Sequence, residues 1–189
     1  MLHLLLLATA CPAAAPMHAN LIVNGNFADG NVGFKSGYAF NQDLGRDGAY
    51  FVGSNPHDSH AGGAEFGDHT TGKGLMLIVN GSEIANTTVW EQTVRVSPNH
   101  GYAFGLWAAS WGQWNSGPND PSPAKLIVTV NGKPIGQPFA VAARDGAWTK
   151  FSAPWASGNA KSAEIRIVDA NLESIGNDFA IDDIVFHAQ

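Results

Sequence analysis

The chain reads as an all-β jelly-roll sandwich. Three observations predict it: apolar residues recur with period two, turn residues separate the runs, and no stretch from Asn20 onward carries a helical period. With 189 residues, one domain accounts for the length. About eight to ten strands are expected between Asn20 and the C-terminus.

The elements follow in order. Residues 41–63 are Gly-rich and read as long loops around a short strand near 49–52. Trp90, Gln92, Val94 and Val96 share one face of a strand, and Val89, Glu91, Thr93 and Arg95 share the other. Pro98-Asn99-His100-Gly101 turns the chain into a strand with Tyr102, Phe104, Leu106 and Ala108 on one face. In 124–130, Leu126, Val128 and Val130 point inward, and Asn131-Gly132 then supplies a tight hairpin. Strands at 148–155, 163–169 and 178–186 complete the series. Val-Asn-Gly occurs at Val23, Val79 and Val130 with unmatched flanks, so turn chemistry recurs without an internal repeat.

Residues 1–19 read as a secretory signal peptide and 20–189 as the domain. An apolar run at 4–10, too short to span a membrane, leads through Ala and Pro to a cleavage point after Ala19. A secreted, extracellular protein is expected. A periplasmic protein or a lipoprotein acylated at Cys11, the sole cysteine, is the alternative. Cleavage after Ala19 leaves no thiol, and thiol-free exported domains often use a bound cation as their staple. The charge balance, 10 Lys and Arg against 16 Asp and Glu, argues against nucleic acid as a partner. Nothing in the composition predicts membrane insertion.

Trp107, Trp111 and Trp114 crowd the end of one strand, just before Asn115-Ser116-Gly117-Pro118-Asn119-Asp120, which reads as an exposed loop. Flat apolar rings beside amides and a carboxylate suit a sugar ring. The other reading is that Trp107 closes the core and only one of the remaining two reaches solvent. His57, His60 and His69, with Asp58 and Asp68, match no zinc spacing, and Ser59, His60 and Asp68 lack a nucleophile elbow. These residues read as loop side chains.

Asn20-Leu21-Ile22-Val23-Asn24-Gly25-Asn26-Phe27, Gly146-Ala147-Trp148-Thr149-Lys150-Phe151 and Ala180-Ile181-Asp182-Asp183-Ile184-Val185-Phe186 resemble motifs of the galactose-binding-like β-sandwiches of secreted carbohydrate-binding modules. Gly67-Asp68-His69-Thr70-Thr71-Gly72 and Gly176-Asn177-Asp178-Phe179 look like a variant of bacterial exported proteins. The resemblance implies paired first and last strands and a structural Ca²⁺ bound by Asp182. The usual Glu after the first motif is replaced by Ala28, so Asn26, Asp29 or Asp68 would supply the missing oxygen. It also implies a sugar lying on one sheet, stacked on Trp90, with Gln92 and Asp169 as polar contacts; Trp111 and Trp114 are the further candidates that the tryptophan cluster itself supplies. The expected function is non-catalytic recognition of an extracellular poly- or oligosaccharide. A structural or adhesive matrix protein is the alternative, and a hydrolase the remaining one.

Overall fold

The computed structural model describes residues 19–112 and 119–189, so residues 1–18, which include Cys11, and the segment carrying Trp114 lie outside the described residues. Ten strands form two sheets: β1 (Ala39–Phe40), β2 (Ala49–Gly53), β3 (Met76–Asn80), β4 (Thr88–Arg95), β5 (Gly101–Ser110), β6 (Lys125–Val130), β7 (Lys133–Ala140), β8 (Thr149–Ala156), β9 (Ser162–Asp169) and β10 (Asp178–Ala188). The six-stranded sheet has the order β1-β2-β3-β10-β5-β8, and the four-stranded sheet the order β4-β9-β6-β7. All pairings are antiparallel except β1 with β2. Among the described residues the only helical turn is a short 3₁₀ turn at Pro56–Asp58.

The period-two pattern makes this sandwich. Leu126, Val128 and Val130 on β6 and Ile165 and Ile167 on β9 all face inward. They meet Leu77, Val79, Phe104, Leu106, Phe179, Ile181 and Phe186 from the six-stranded sheet. Asn131 and Gly132 both take positive φ angles, 50° and 74°, so the β6–β7 hairpin closes on the two-residue turn its sequence calls for. β7 is an edge strand, and its Pro134 and Pro138 fit an edge.

The chain ends meet as the motifs imply, although the N-terminal segment forms no regular strand. Leu21 N donates to Phe186 O at 2.8 Å, Ile184 N donates to Gly25 O at 2.8 Å, and Asn20 Oδ1 accepts from Phe186 N at 2.9 Å.

A second core lies on the outward side of the six-stranded sheet. Leu44, Ala49, Ala64, Met76, Ile78, Trp111 and Ala180 are buried there beneath the long loops, with Phe51, Phe66 and Trp148 packed around them. Asn80 Nδ2 pins the covering loop by donating to Leu44 O at 2.7 Å. This is why β3 is buried at every position: its two faces serve two different cores.

Candidate functional site

The residues expected to touch a sugar are mostly interior. Trp90 is 0% exposed and packs between the sheets, because its strand phase with Val94 is the inward phase. Trp111 is also 0% exposed; it fills the second core, and its Nε1 donates to Val79 O at 3.1 Å and Phe179 O at 3.0 Å. Neither indole can stack on a ligand in this arrangement. Gln92 is a clamp for the N-terminal segment. Its Oε1 accepts from Val23 N at 2.9 Å, while Nε2 donates to Val23 O at 3.0 Å and Gly33 O at 2.6 Å. Asp169 is 3% exposed at the end of β9, where it accepts from Lys125 N and Asn171 N, and burial raises its pKa to about 6. Trp114 lies outside the described residues.

The expected calcium ligands are not gathered either. Asp182 is fully buried, and its Oδ2 accepts from His69 N at 3.0 Å and Thr70 N at 3.2 Å, while Oδ1 accepts from Asp183 N at 2.8 Å. Asp68 spends its carboxylate on its own turn, accepting from Thr71 N and Thr71 Oγ1 at 3.0 Å and from Gly74 N at 2.7 Å. Asn26 Oδ1 faces Ala28 N at 3.4 Å, and Asp29 is exposed. The Asp182 and Asp68 carboxylates thus already accept from backbone and hydroxyl donors. Among the described residues no three His, Cys, Asp or Glu side chains form a ready metal cage.

What the structure assembles instead is a docked loop with an aromatic ledge. Residues 67–72 close on Asp68. Burial alone would raise the pKa of this carboxylate, but the donors at Gly74 and Thr71 outweigh burial and lower it. Gly67 is required at the closure: a Cβ there would stand 2.1 Å from Gly72 O. The closed loop presents His69 and Thr70 to a bulge in β10, where pairing with β5 shifts between Asp182 and Val185 and Asp183 takes φ 49°. Thr70 Oγ1 donates to Asp183 Oδ1 at 2.7 Å, and His69 Nδ1 lies 2.7 Å from Asp183 Oδ2. Burial, with the charge of Asp183 adding to it, raises the Asp182 pKa to about 6.

The His69 ring stacks on Trp107 at 3.9 Å and 17°, and meets Trp148 edge-on at 5.8 Å. Trp148 in turn donates from Nε1 to Gly67 O at 3.3 Å and packs edge-on against Phe66. Lys150, exposed and paired with Trp107 across β5 and β8, holds its ammonium 5.8 Å from the Trp107 ring centroid. Trp107 and Trp148 are only half-buried. The ledge therefore offers indole surface bordered by a carboxylate, a cation and an imidazole. On the same side of the sandwich, an open groove of about 780 Å³ runs between the 41–45 and 57–61 loops, lined by Asn41, Gln42, Asp43, His57 and His60.

Trp107 belongs to the tryptophan cluster read from the sequence, whereas His69 reads there as a loop side chain and Trp148, Lys150 and Asp183 only as parts of motifs. His69 and Asp183 stand 114 positions apart, and only the β10 bulge brings them together. Of the loop side chains weighed from the sequence, His57 Nδ1 faces Gly63 O, His60 Nδ1 accepts from Gly62 N, and Asp68 is committed to its turn.

The fold is that of carbohydrate-binding-module β-sandwiches. The xylan-binding CBM22-1 domain of Paenibacillus barcinonensis Xyn10C is similar at TM-score 0.57 and 15% identity, covering 93% of this chain and 97% of that one. TmCBM61, solved with β-1,4-galactotriose, is similar at TM-score 0.52 and 14% identity, covering 90% and 99%. The enzymatically active domain of bacteriophage CBA120 tailspike protein 4 is similar at TM-score 0.53 and 12% identity over 90% of this chain, which spans 21% of that one. No family model matches the chain, and no curated protein matches it. Among the described residues no helix is long and apolar enough to cross a membrane.

Proposed function

We propose that this chain is an exported, non-catalytic module that recognises an extracellular poly- or oligosaccharide from the outward side of its six-stranded sheet. The carrying observation is that solvent-reachable indoles, Trp107 and Trp148, sit together with Asp183, His69 and Lys150 on one face of a sandwich shared with sugar-binding modules. CH faces of a pyranose would pack on the exposed indole edges, and Asp183 and Lys150 would orient its hydroxyls. The leader at 1–19 supports export, to the extracellular space or the periplasm, or to a membrane through an acylated Cys11.

The test is retention on insoluble xylan, galactan and cellulose, with tryptophan fluorescence on soluble fragments. Trp148→Ala and Trp107→Ala should each weaken binding by about two- to tenfold, since one stacked ring contributes about 0.5–1.5 kcal/mol. If Gln42→Ala removes retention and the tryptophan variants do not, the groove between the 41–45 and 57–61 loops is the site. A second reading, a structural or adhesive matrix protein, is favoured by one observation: His69 already covers part of Trp107. It predicts no glycan retention and partner capture that survives all three substitutions. A hydrolase reading predicts turnover of a chromogenic glycoside or ester that a carboxylate variant removes.

A further inference from the structure

Three segments meet at the end of the six-stranded sheet where β5 runs out. Asp120 N donates to Ala143 O at 2.6 Å, Gly146 N donates to Ser110 O at 2.9 Å, and Trp111 N donates to Asp178 O at 3.1 Å. This stitching brings Ser110, Asp120, Asp145 and Asp178 to one place. Ser110 is 0% exposed, and Asp120 and Asp178 are each 3% exposed. Both carboxylate oxygens of Asp145 are buried without a hydrogen-bond partner, and Ser110 Oγ and Asp120 Oδ2, buried beside one another, have no partner of good geometry. Asp120 Oδ1 accepts from Ser122 N at 2.8 Å. Among the described residues no Lys or Arg pairs with Asp120 or Asp145.

Such an arrangement is costly as it stands. A buried carboxylate with no donor loses several kcal/mol of hydration, and two that face each other repel. Burial and the charge of Asp120 together raise the Asp145 pKa to about 6, and burial raises that of Asp120 as well. Glycine lets the Asp120 and Asp178 carboxylates pack close to the backbone. A Cβ on Gly112 would lie 2.9 Å from Asp178 Oδ2 and 3.5 Å from Asp120 Oδ2, and one on Gly176 would lie 2.3 Å from Asp120 Oδ1. Buried hard oxygens gathered with too few donors to serve them all are what a divalent cation satisfies.

We propose that Asp120 and Asp145, with the Ser110 hydroxyl, bind a calcium ion, and that this site, not the one expected at Asp182, is the domain's cation staple. Two carboxylates and a hydroxyl leave the rest of calcium's six to eight oxygens to backbone carbonyls and water. That accords with the absence of a three-residue cage among the described side chains. The Asp178 carboxylate borders the same space. Calcium would neutralise the Asp120–Asp145 repulsion and tie the 143–146 and 119–122 segments to the end of β5. Asp182 needs no such ion, because backbone donors already serve it.

The test uses the whole purified protein, stripped with chelator and melted with and without calcium chloride. At tenfold excess over Kd the midpoint should rise by about 3–6 °C. Asp145→Asn should abolish that rise and Asp182→Asn should keep it. Terbium supplies a readout that needs no variant: Trp111, next to Ser110, should sensitise its luminescence, and calcium should quench it by competition. No midpoint rise together with no competed terbium signal overturns the proposal. So does a rise that survives in Asp145→Asn or is lost in Asp182→Asn.

Discussion

The sandwich turns two different outward faces to its surroundings. On the four-stranded sheet the outward side is one layer in which charged side chains and Thr129 stand beside half-buried Ile127 and Val168. Glu91, Arg166 and Thr129 lie abreast on β4, β9 and β6, and Arg166 Nε reaches Glu91 at 2.8 Å and Glu164 at 3.0 Å. Among the described strand residues of this sheet's outward side there is no tryptophan. On the six-stranded sheet the outward side is apolar in mid-sheet, so it is buried under loops 41–75 and becomes a second core with aromatic residues at its margin. The difference teaches where function can be placed. A surface that must hide Met76, Ile78 and Ala180 needs long covering loops, and those loops carry His69, Thr70 and the groove residues.

The sharpest way to break the comparison is to empty the second core. Trp111→Ala removes a fully buried indole and leaves Val79 O and Phe179 O without their side-chain donor. The expected cost is about 3–5 kcal/mol, a fall in melting midpoint of about 6–20 °C. Proteolysis should then cut first within 41–63, because that loop loses its floor. If the midpoint falls by less than about 2 °C, the outward side of this sheet is not a core in the sense argued here.

The second core also explains what the sequence shows and hides. The inward pattern of β5 and β6, the Asn131-Gly132 hairpin and the short strand at β2 are legible, because each needs only local alternation or a turn residue, whereas the meeting of the N- and C-terminal segments is implied by the resemblance of their motifs alone. β3 escapes that reading. Leu75-Met76-Leu77-Ile78-Val79 is apolar without alternation, since both of its faces are covered. The same fact misplaces the site. An indole in a period-two strand reads as a ligand platform only if one face of the sheet is bare, and at Trp90 and Trp111 both available sides are occupied. The ledge depends on a bulge and on a loop docked across more than a hundred residues, and neither has a period to find.

A smaller effect separates the faces by pH. The fold raises the pKa of Asp182 to about 6, against an ordinary carboxylate value of about 3.9 in the unfolded chain. The folded protein therefore binds the proton more tightly. The associated stability is fully present below about pH 4 and is lost as pH rises through about 6. Asp169, also raised to about 6, has the same sign, and Asp68, whose pKa is lowered, has the opposite one, its contribution disappearing only in acid. With chelator present to keep calcium out, the melting midpoint should peak near pH 4–5 and decline by several degrees at pH 7. Asp182→Asn should flatten the part of that decline that belongs to the docked loop. A midpoint that climbs steadily from pH 4 to 7 in the unsubstituted protein would contradict the burial argument.

The smallest effect belongs to the four-stranded face. Arg166→Ala removes the cation shared by Glu91 and Glu164, all three of which keep substantial contact with water. Such pairs contribute about 0.2–1 kcal/mol at low salt and less as ions screen them. The midpoint should drop by no more than about 4 °C. The loss should shrink further in high salt, and glycan retention should be untouched because no ligand contact is assigned to this face. Arg166 also covers Ile127 and Val168 with its methylene stem by position in the register, so part of the loss will persist in salt as lost packing. Loss of glycan retention in Arg166→Ala with the fold intact would move the binding surface to the four-stranded sheet. The covering loops of the other face would then be structural alone.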